Sequence, residues 1–291
     1  DTSLKDVKKS GKLSIATSPD FPPFESLEGD KGVGIEIDLL EMIAKKLGVE
    51  LEINQMDFDS VLPGIQSGKF NVGVSGITVT EDRKANADFT DPYFLAAQAI
   101  IVMNGSDIKS KADLEGKKVS VQTGTTAEEY CMKNGYDVSA FQANNDALSA
   151  LTSGKVDAWV VDNQTGIAMS AETNGKTVVL DEAMTTEPYS FAFKKGSTSL
   201  VNEINGYIQG WLKDGTIEKI FEKGLNHEAV TALECDQYKT AFLLFIAKEY
   251  KRLGWVMQLH YGCKRDNNTT MYNKLGPDTG YDCISNFAPA D

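Results

Sequence analysis

"IEIDLLEMIAKKLGVELEINQMDFDSVLPGIQSGKFNVGVSG", Ile35 to Gly76, carries the reading that decides the fold. In its opening run Ile37, Leu40, Ile43, Ala44 and Leu47 recur at the spacing of one helical face, and Gly48 marks the stop. "VELEIN" then alternates Val49, Leu51 and Ile53, the period of two that a strand requires. "FDSVLPGIQSGK" has room for a short helix, and "FNVGVSG" supplies a further strand. With "KLSIAT", Lys12 to Thr17, in front, the order is β-α-β-α-β, the signature of an α/β lobe with a largely parallel sheet.

A second unit follows "AIIVMNG". "KKVSVQTGTTAEEYCMKNG" reads as strand, tight turn and helix, with Thr125 and Thr126 three residues before Glu128 and Glu129 in the manner of a capping box. "NNDALSALTSGKVDAWVVDNQTGIAMS" continues as helix, strand and helix, "YSFAFKKG" is an extended run, and "SLVNEINGYIQGWLKDGTIEKIFEKGL" closes with two helices. The expected architecture is two α/β lobes, residues 1–97 with 194–225 and residues 98–193. The chain crosses between them near 97–102 and 189–194, and two crossings form a hinge.

The chain has 291 residues and a net charge of −13, which argues against nucleic acid or an anionic membrane surface as partner, since either needs an exposed basic face. No apolar run of about eighteen residues is present to span a bilayer. "DTSLKDVKKSGKLS" lacks the apolar core of a signal peptide, so an exported protein would be represented here by its processed form. Composition shifts near Asn226: both histidines and Cys235, Cys263 and Cys283 lie beyond it, while Cys131 alone precedes it and reads as a buried thiol. The three later cysteines have no metal-ligand spacing, and neither a metal nor a cofactor is expected.

In doubly wound lobes, ligands sit beyond the carboxyl ends of strands, where glycine turns and helix N-termini expose N–H groups. "TSPDFPPFE", "SGIT", "QTGTT" and "VVDNQ" have that address and should converge on one cleft. Arg83, on the helix after "SGITVTED", can reach back over the turn that Ser75, Gly76 and Thr78 open, as a planar two-pronged receptor for a carboxylate. Asp162, ending the apolar run "VDAWVV" in the other lobe, can hold an ammonium group. An α-amino acid meets both needs. Phe21 and Phe58 could wall its side chain. Singly, a Phe is more often core, an Arg surface and a strand-end Asp a helix cap; together, in corresponding loops, they read as a site.

These stretches, "SPDFPPFES", "GIEIDLLEMIAKKLG", "SGITVTEDRKANADFTDPYF", "VQTGTTAEEY" and "VDAWVVDNQTG", resemble over about 1–225 the periplasmic amino-acid-binding proteins of ABC importers, solute-binding protein family 3, with the type II periplasmic fold. The resemblance implies that Arg83, Thr78 and the Gly76 backbone bind the α-carboxylate, helped by Thr126 beside Thr125, and that Asp162 binds the α-amino group. Phe21 and Phe58 would sandwich the side chain. Ser18 stands where many members carry Asp, so a basic side chain loses one partner there. Gln122, at a position that tunes side-chain recognition, favours a polar ligand. The resemblance also implies a membrane permease as partner, a monomer, and a periplasmic or lipid-anchored surface location. A sensor domain and a cyclohexadienyl dehydratase-like enzyme are the competing readings. The second needs a cleft acid or base, and Glu25 and Glu36 read as a loop and a helix-surface residue.

"GWVMQLHYG", "NNT" and "LGPDTGYD" in the tail 226–291 resemble a fragment of uronate (glucuronate) isomerase, a (β/α)₈ barrel. That likeness would place His260, Asn267 and Asn268 at an active site. One or two strands cannot close a barrel, so a short α/β tail without activity of its own is expected, with a helix over about 236–253 and a strand in "WVMQLHYG".

Overall fold

The computed structural model describes residues 1–225 and the pairs 263–264 and 283–284. Strands in chain order are β1 (Lys12–Thr17), β2 (Ser26–Glu28), β3 (Lys31–Val33), β4 (Glu50–Gln55), β5 (Val72–Gly73), β6 (Ala87–Phe89), β7 (Phe94–Ala96), β8 (Gln98–Met103), β9 (Lys118–Gln122), β10 (Asp137–Phe141), β11 (Ala158–Asp162), β12 (Thr177–Val179), β13 (Glu187–Tyr189) and β14 (Ala192–Lys194). The helices used below are α1 (Ser3–Ser10), α2 (Ile35–Leu47), α3 (Phe58–Gln66), α4 (Glu81–Asn86), α5 (Thr126–Lys133), α6 (Asn144–Thr152), α7 (Asn163–Ala171), α8 (Thr198–Lys213) and α9 (Thr216–Leu225).

The protein is α/β with two lobes, each built on a five-stranded sheet: β4-β1-β5-β14-β6 and β10-β9-β11-β8-β12. In the first, β1 lies parallel to β4 and β5, and β14 runs antiparallel to β5 and β6. In the second, β9 is parallel to β10 and β11, while β8 is antiparallel to β11 and β12. Each sheet therefore has a single reversed strand, the one that the chain enters as it passes between lobes. β7 and β13 form the two-stranded antiparallel ribbon between them.

α2 shows why the opening stretch folds as it does. Ile37, Leu40, Ile43, Ala44 and Leu47 are all buried, and Gly48 ends the helix at φ 73°, a left-handed conformation that costs glycine no Cβ clash. Burying each large aliphatic side chain contributes about 1.5–3 kcal/mol, so this face secures the helix more than its intrinsic propensity does. Ile35, Leu39 and also Glu36 are buried as well, because the helix is covered by α9 in addition to β3 and β4.

Gly34 sets the entry to that helix. It sits at φ 132°, ψ 176°, a region open essentially to glycine alone. A Cβ there would lie 2.2 Å from the carbonyl oxygen of Phe24. That same oxygen accepts from the Glu36 N–H at 3.0 Å. Gly34→Ala is therefore expected to destabilise the protein by roughly 3 kcal/mol or more, read as a lower denaturant midpoint. An unchanged midpoint would contradict the argument.

Contacts divide the chain into two units, Asp1–Tyr238 and Lys239–Asp291. In the second, Cys263–Lys264 pairs antiparallel with Cys283–Ile284. The helix expected over 236–253, the strand "WVMQLHYG", and His260, Asn267 and Asn268 lie outside the described residues. Cys131 is buried and free, as its isolation in the sequence implies, and burial pushes its thiol up to about 12.

Candidate functional site

β1, β5, β9 and β11 end on the same side of their two sheets, and the loops that leave them meet around one cavity with about 380 Å³ of empty volume, part of it open to solvent. Of the residues that the sequence singled out, Phe21, Phe58, Ser75, Gly76, Thr78, Arg83, Gln122, Thr125, Thr126 and Asp162 line it, together with Ala127, Asn144, Val160 and Val161. Ser18 is not on the wall. Its N–H donates to Ser75 Oγ at 2.7 Å and its hydroxyl to Asp20 Oδ1 at 3.0 Å, so it serves the loop behind.

Arg83 comes from α4, whose N-cap Thr80 accepts the Arg83 backbone N–H at 3.2 Å. Its guanidinium lies over the Phe58 ring, 5.8 Å from the centroid. One arm donates to the Thr78 carbonyl at 2.9 Å, and the other crosses the cleft to the Gly124 carbonyl at 3.0 Å. Of five guanidinium N–H groups, at most a few are thereby used, and the remainder can meet an anion. Burial lowers its pKa, while the charges of Glu129, Glu187 and Asp162 act in the opposite sense.

Asp162 ends β11 and also stands at the N-cap of α7, yet its side chain makes no capping bond. Instead Oδ2 accepts from the Tyr189 hydroxyl. It is 8% exposed, and burial, followed by the nearby Glu187 charge, holds its carboxyl well above the ordinary carboxylate value; Tyr189 and Arg83 partly offset this. A buried carboxylate of this kind favours its ionised form only when a cation arrives.

Two expected donors are already committed. The Gly76 N–H donates to Glu36 Oε2 at 3.0 Å, which takes it out of the set facing the cavity. The Thr126 hydroxyl donates to Glu187 Oε2 at 2.9 Å and accepts from Gln98 Nε2 at 2.9 Å. Thr125 Oγ1 accepts the Glu128 N–H at 3.2 Å and donates to the Gln122 carbonyl at 2.7 Å, as the cap of α5. What the α5 terminus offers the cavity is its backbone: the first amides of a helix have no intrahelical acceptor. Ser75, at φ 148°, and Gly76, at φ 52°, form a strained turn that Ser18 and Glu36 hold in place. A Cβ on Gly76 would meet the Phe21 ring at 2.4 Å.

Glu25 and Glu36 correct the sequence reading. Both are fully buried and neither is a surface residue. Glu36 accepts from Gly76 N–H and the Tyr93 hydroxyl; burial and then the Glu36 charge hold the Glu25 carboxyl well above its usual range. Neither glutamate is on the cavity wall, where Asp162 is the sole carboxylate among the described residues. Sequence reasoning also missed Asn144 and Tyr189. The doubled Asn at the head of α6 was the available signal for the first; nothing local marks the second.

One cavity thus carries oppositely charged side chains, Arg83 and Asp162, on its walls. The chain belongs to the bacterial extracellular solute-binding proteins, family 3, whose model matches residues 13–227. It is similar to the L-cystine-binding protein TcyJ of Escherichia coli (strain K12), 32% identical over 226 residues that cover 76% of this chain and 85% of the relative. A solved ancestral arginine-binding protein bound to glutamine is 45% identical, with TM-score 0.70, covering 73% of this chain and 97% of that one. A crystal structure of an ancestral amino acid-binding protein, described as a precursor of cyclohexadienyl dehydratase, is 36% identical with TM-score 0.72, covering 77% and 99%. The glucuronate isomerase family matches residues 168–291, a likeness that overlaps the first over 168–227. No described helix is long and apolar enough to cross a membrane.

Proposed function

We propose that the protein captures a polar α-amino acid in this cleft and passes it to the membrane permease of an ABC importer, as a binder and not an enzyme. The observation that carries the reading is one cavity lined by both Arg83, from α4 beside the first sheet, and Asp162, from the second. Arg83 takes the α-carboxylate with the α5 amides; Asp162 Oδ1, left over by Tyr189, takes the ammonium; Phe21 and Phe58 wall the side chain. A ligand held from both lobes favours the closed form, because only contacts that differ between open and closed states move that equilibrium. The two moving bodies are the lobes built on the two five-stranded sheets, divided close to the expected 1–97 with 194–225 and 98–193 except that β14 (Ala192–Lys194) belongs wholly to the first, and the β7–β13 ribbon between them serves as hinge.

Micromolar affinity needs about −8 kcal/mol, and hydrogen bonds to charged groups contribute roughly 1.5–3 kcal/mol each, so two charged anchors with aromatic burial suffice. The protein acts as a monomer outside the cytoplasm, in a periplasm or anchored to a cell surface, and residues 226–291 are a fused fragment without activity. Against a dehydratase stands a cavity whose only carboxylate among the described residues is the one that must hold the ammonium.

A thermal-shift screen of the twenty amino acids tests the reading. At a ligand concentration a hundred times Kd, native-state binding adds about 2.7 kcal/mol of stability. At least one polar amino acid is expected to raise the melting temperature while its chromatographic peak stays unchanged. No stabilisation by any of them, or consumption of the one that binds, refutes it.

A further inference from the structure

Gln122 and Asn144 both line the cavity, and their hydrogen bonds leave one side-chain polar atom of the pair without a partner. Gln122 Nε2 donates to the Gln142 carbonyl at 3.0 Å and faces both Asp20 carboxylate oxygens at 3.4 Å. Those partners are acceptors, which fixes the amide with Oε1 turned to Asn144. Asn144 Nδ2 then donates to Gln122 Oε1 at 3.0 Å and to the Asp20 carbonyl at 3.4 Å. The Asn144 N–H goes to Asp20 Oδ2 at 2.6 Å, and the Ser18 hydroxyl to Asp20 Oδ1. Every side-chain donor of the cluster is thus engaged. One atom is left: Asn144 Oδ1, buried, without a partner, on a residue that is 1% exposed and lines the cavity.

A buried acceptor with no donor is unfavourable, and native proteins rarely keep one. From this we infer that the ligand supplies the missing N–H: the protein selects α-amino acids whose side chain ends in a hydrogen-bond donor, an amide, guanidinium or ammonium, and rejects those that end in a carboxylate or in a methyl group. A side-chain carboxylate would bring a second acceptor to Asn144 Oδ1 and a like charge toward Asp20, whereas a cationic end is drawn by that carboxylate. The inference rests on the proposed amino-acid binding and narrows it.

Glutamine and glutamate are nearly isosteric and differ by a donor against an acceptor, so calorimetry of the full chain with this pair, and with arginine, lysine and methionine, reads the claim directly. The best donor-terminated ligand is expected to bind about a hundred-fold or more tightly than glutamate and methionine. Glutamate or methionine binding within about threefold of the best donor-terminated ligand overturns the selectivity and leaves the receptor reading standing. Absence of binding by all five and by the other amino acids overturns both. Asn144→Leu keeps the branched shape with somewhat more bulk and removes the acceptor together with the donor to Gln122 Oε1, and the ratio of glutamine to methionine affinity should fall about tenfold. An unchanged ratio in a variant that melts normally also sinks it; should the variant fail to fold, the wild-type pair decides.

Discussion

Replacing Arg83 by alanine is expected to weaken binding of the cognate amino acid by thirty- to several-thousand-fold with little change in the melting temperature of the free protein. Truncating one partner of a desolvated charge pair costs about 2–5 kcal/mol, and each tenfold in Kd is about 1.4 kcal/mol. The fold should tolerate it because the guanidinium's protein partners are two backbone carbonyls, those of Thr78 and Gly124, while the cap of α4 uses the Arg83 backbone and survives. Arg83→Lys keeps the charge but loses the planar fork, so it should fall between the two. Calorimetry gives Kd, and a melt gives stability. Wild-type affinity in the alanine variant would remove the carboxylate assignment. The variant also loses the Arg83 to Gly124 bond across the cleft, so the free protein should scatter X-rays as a slightly larger particle.

The fold was legible because its signals are local. The face of α2 and its glycine stop are written in consecutive residues, and "KLSIAT" coincides with β1. The cavity was legible one level up, since strand-end loops have a common address in such lobes. What escaped depends on partners far along the chain. Glu36 lies between Ile35 and Ile37 and looks like the polar margin of a helix; its burial is arranged by Gly76 and Tyr93, which supply the N–H and O–H it needs. Asn144 opens α6 like an ordinary helix start, and only Asp20, 124 residues away, reveals its orientation. The hydroxyl of Thr126 looked free in sequence because Glu187 and Gln98, which occupy it, come from β13 and β8. Local pattern places backbone; it does not say which donors remain unspent.

Asp162→Asn should weaken binding by a comparable factor, again about 2–5 kcal/mol, and should also abolish a proton release that accompanies binding. Asparagine can still accept from the Tyr189 hydroxyl, so the change removes charge with little change of shape. In the free protein burial, Glu187 and Tyr189 surround this carboxyl, Arg83 faces it from α4, and the net effect is a pKa well above the ordinary 3.8. Between that ordinary value and the raised one, free Asp162 holds a proton that an incoming ammonium must displace. Affinity therefore rises with pH through the window and levels off above it, with up to one proton released per ligand. The stability of the free protein runs the other way: the native state keeps a proton that the unfolded chain has lost, so unfolding free energy declines as pH rises through the same window. Asp20 and Glu25 are shifted in the same direction by burial and remain in the variant, so the difference between wild type and Asp162→Asn isolates the one group. Calorimetry in buffers of different ionisation enthalpy counts the protons. Equal release in both proteins, or affinity that climbs as pH falls, would show that the ammonium is held elsewhere.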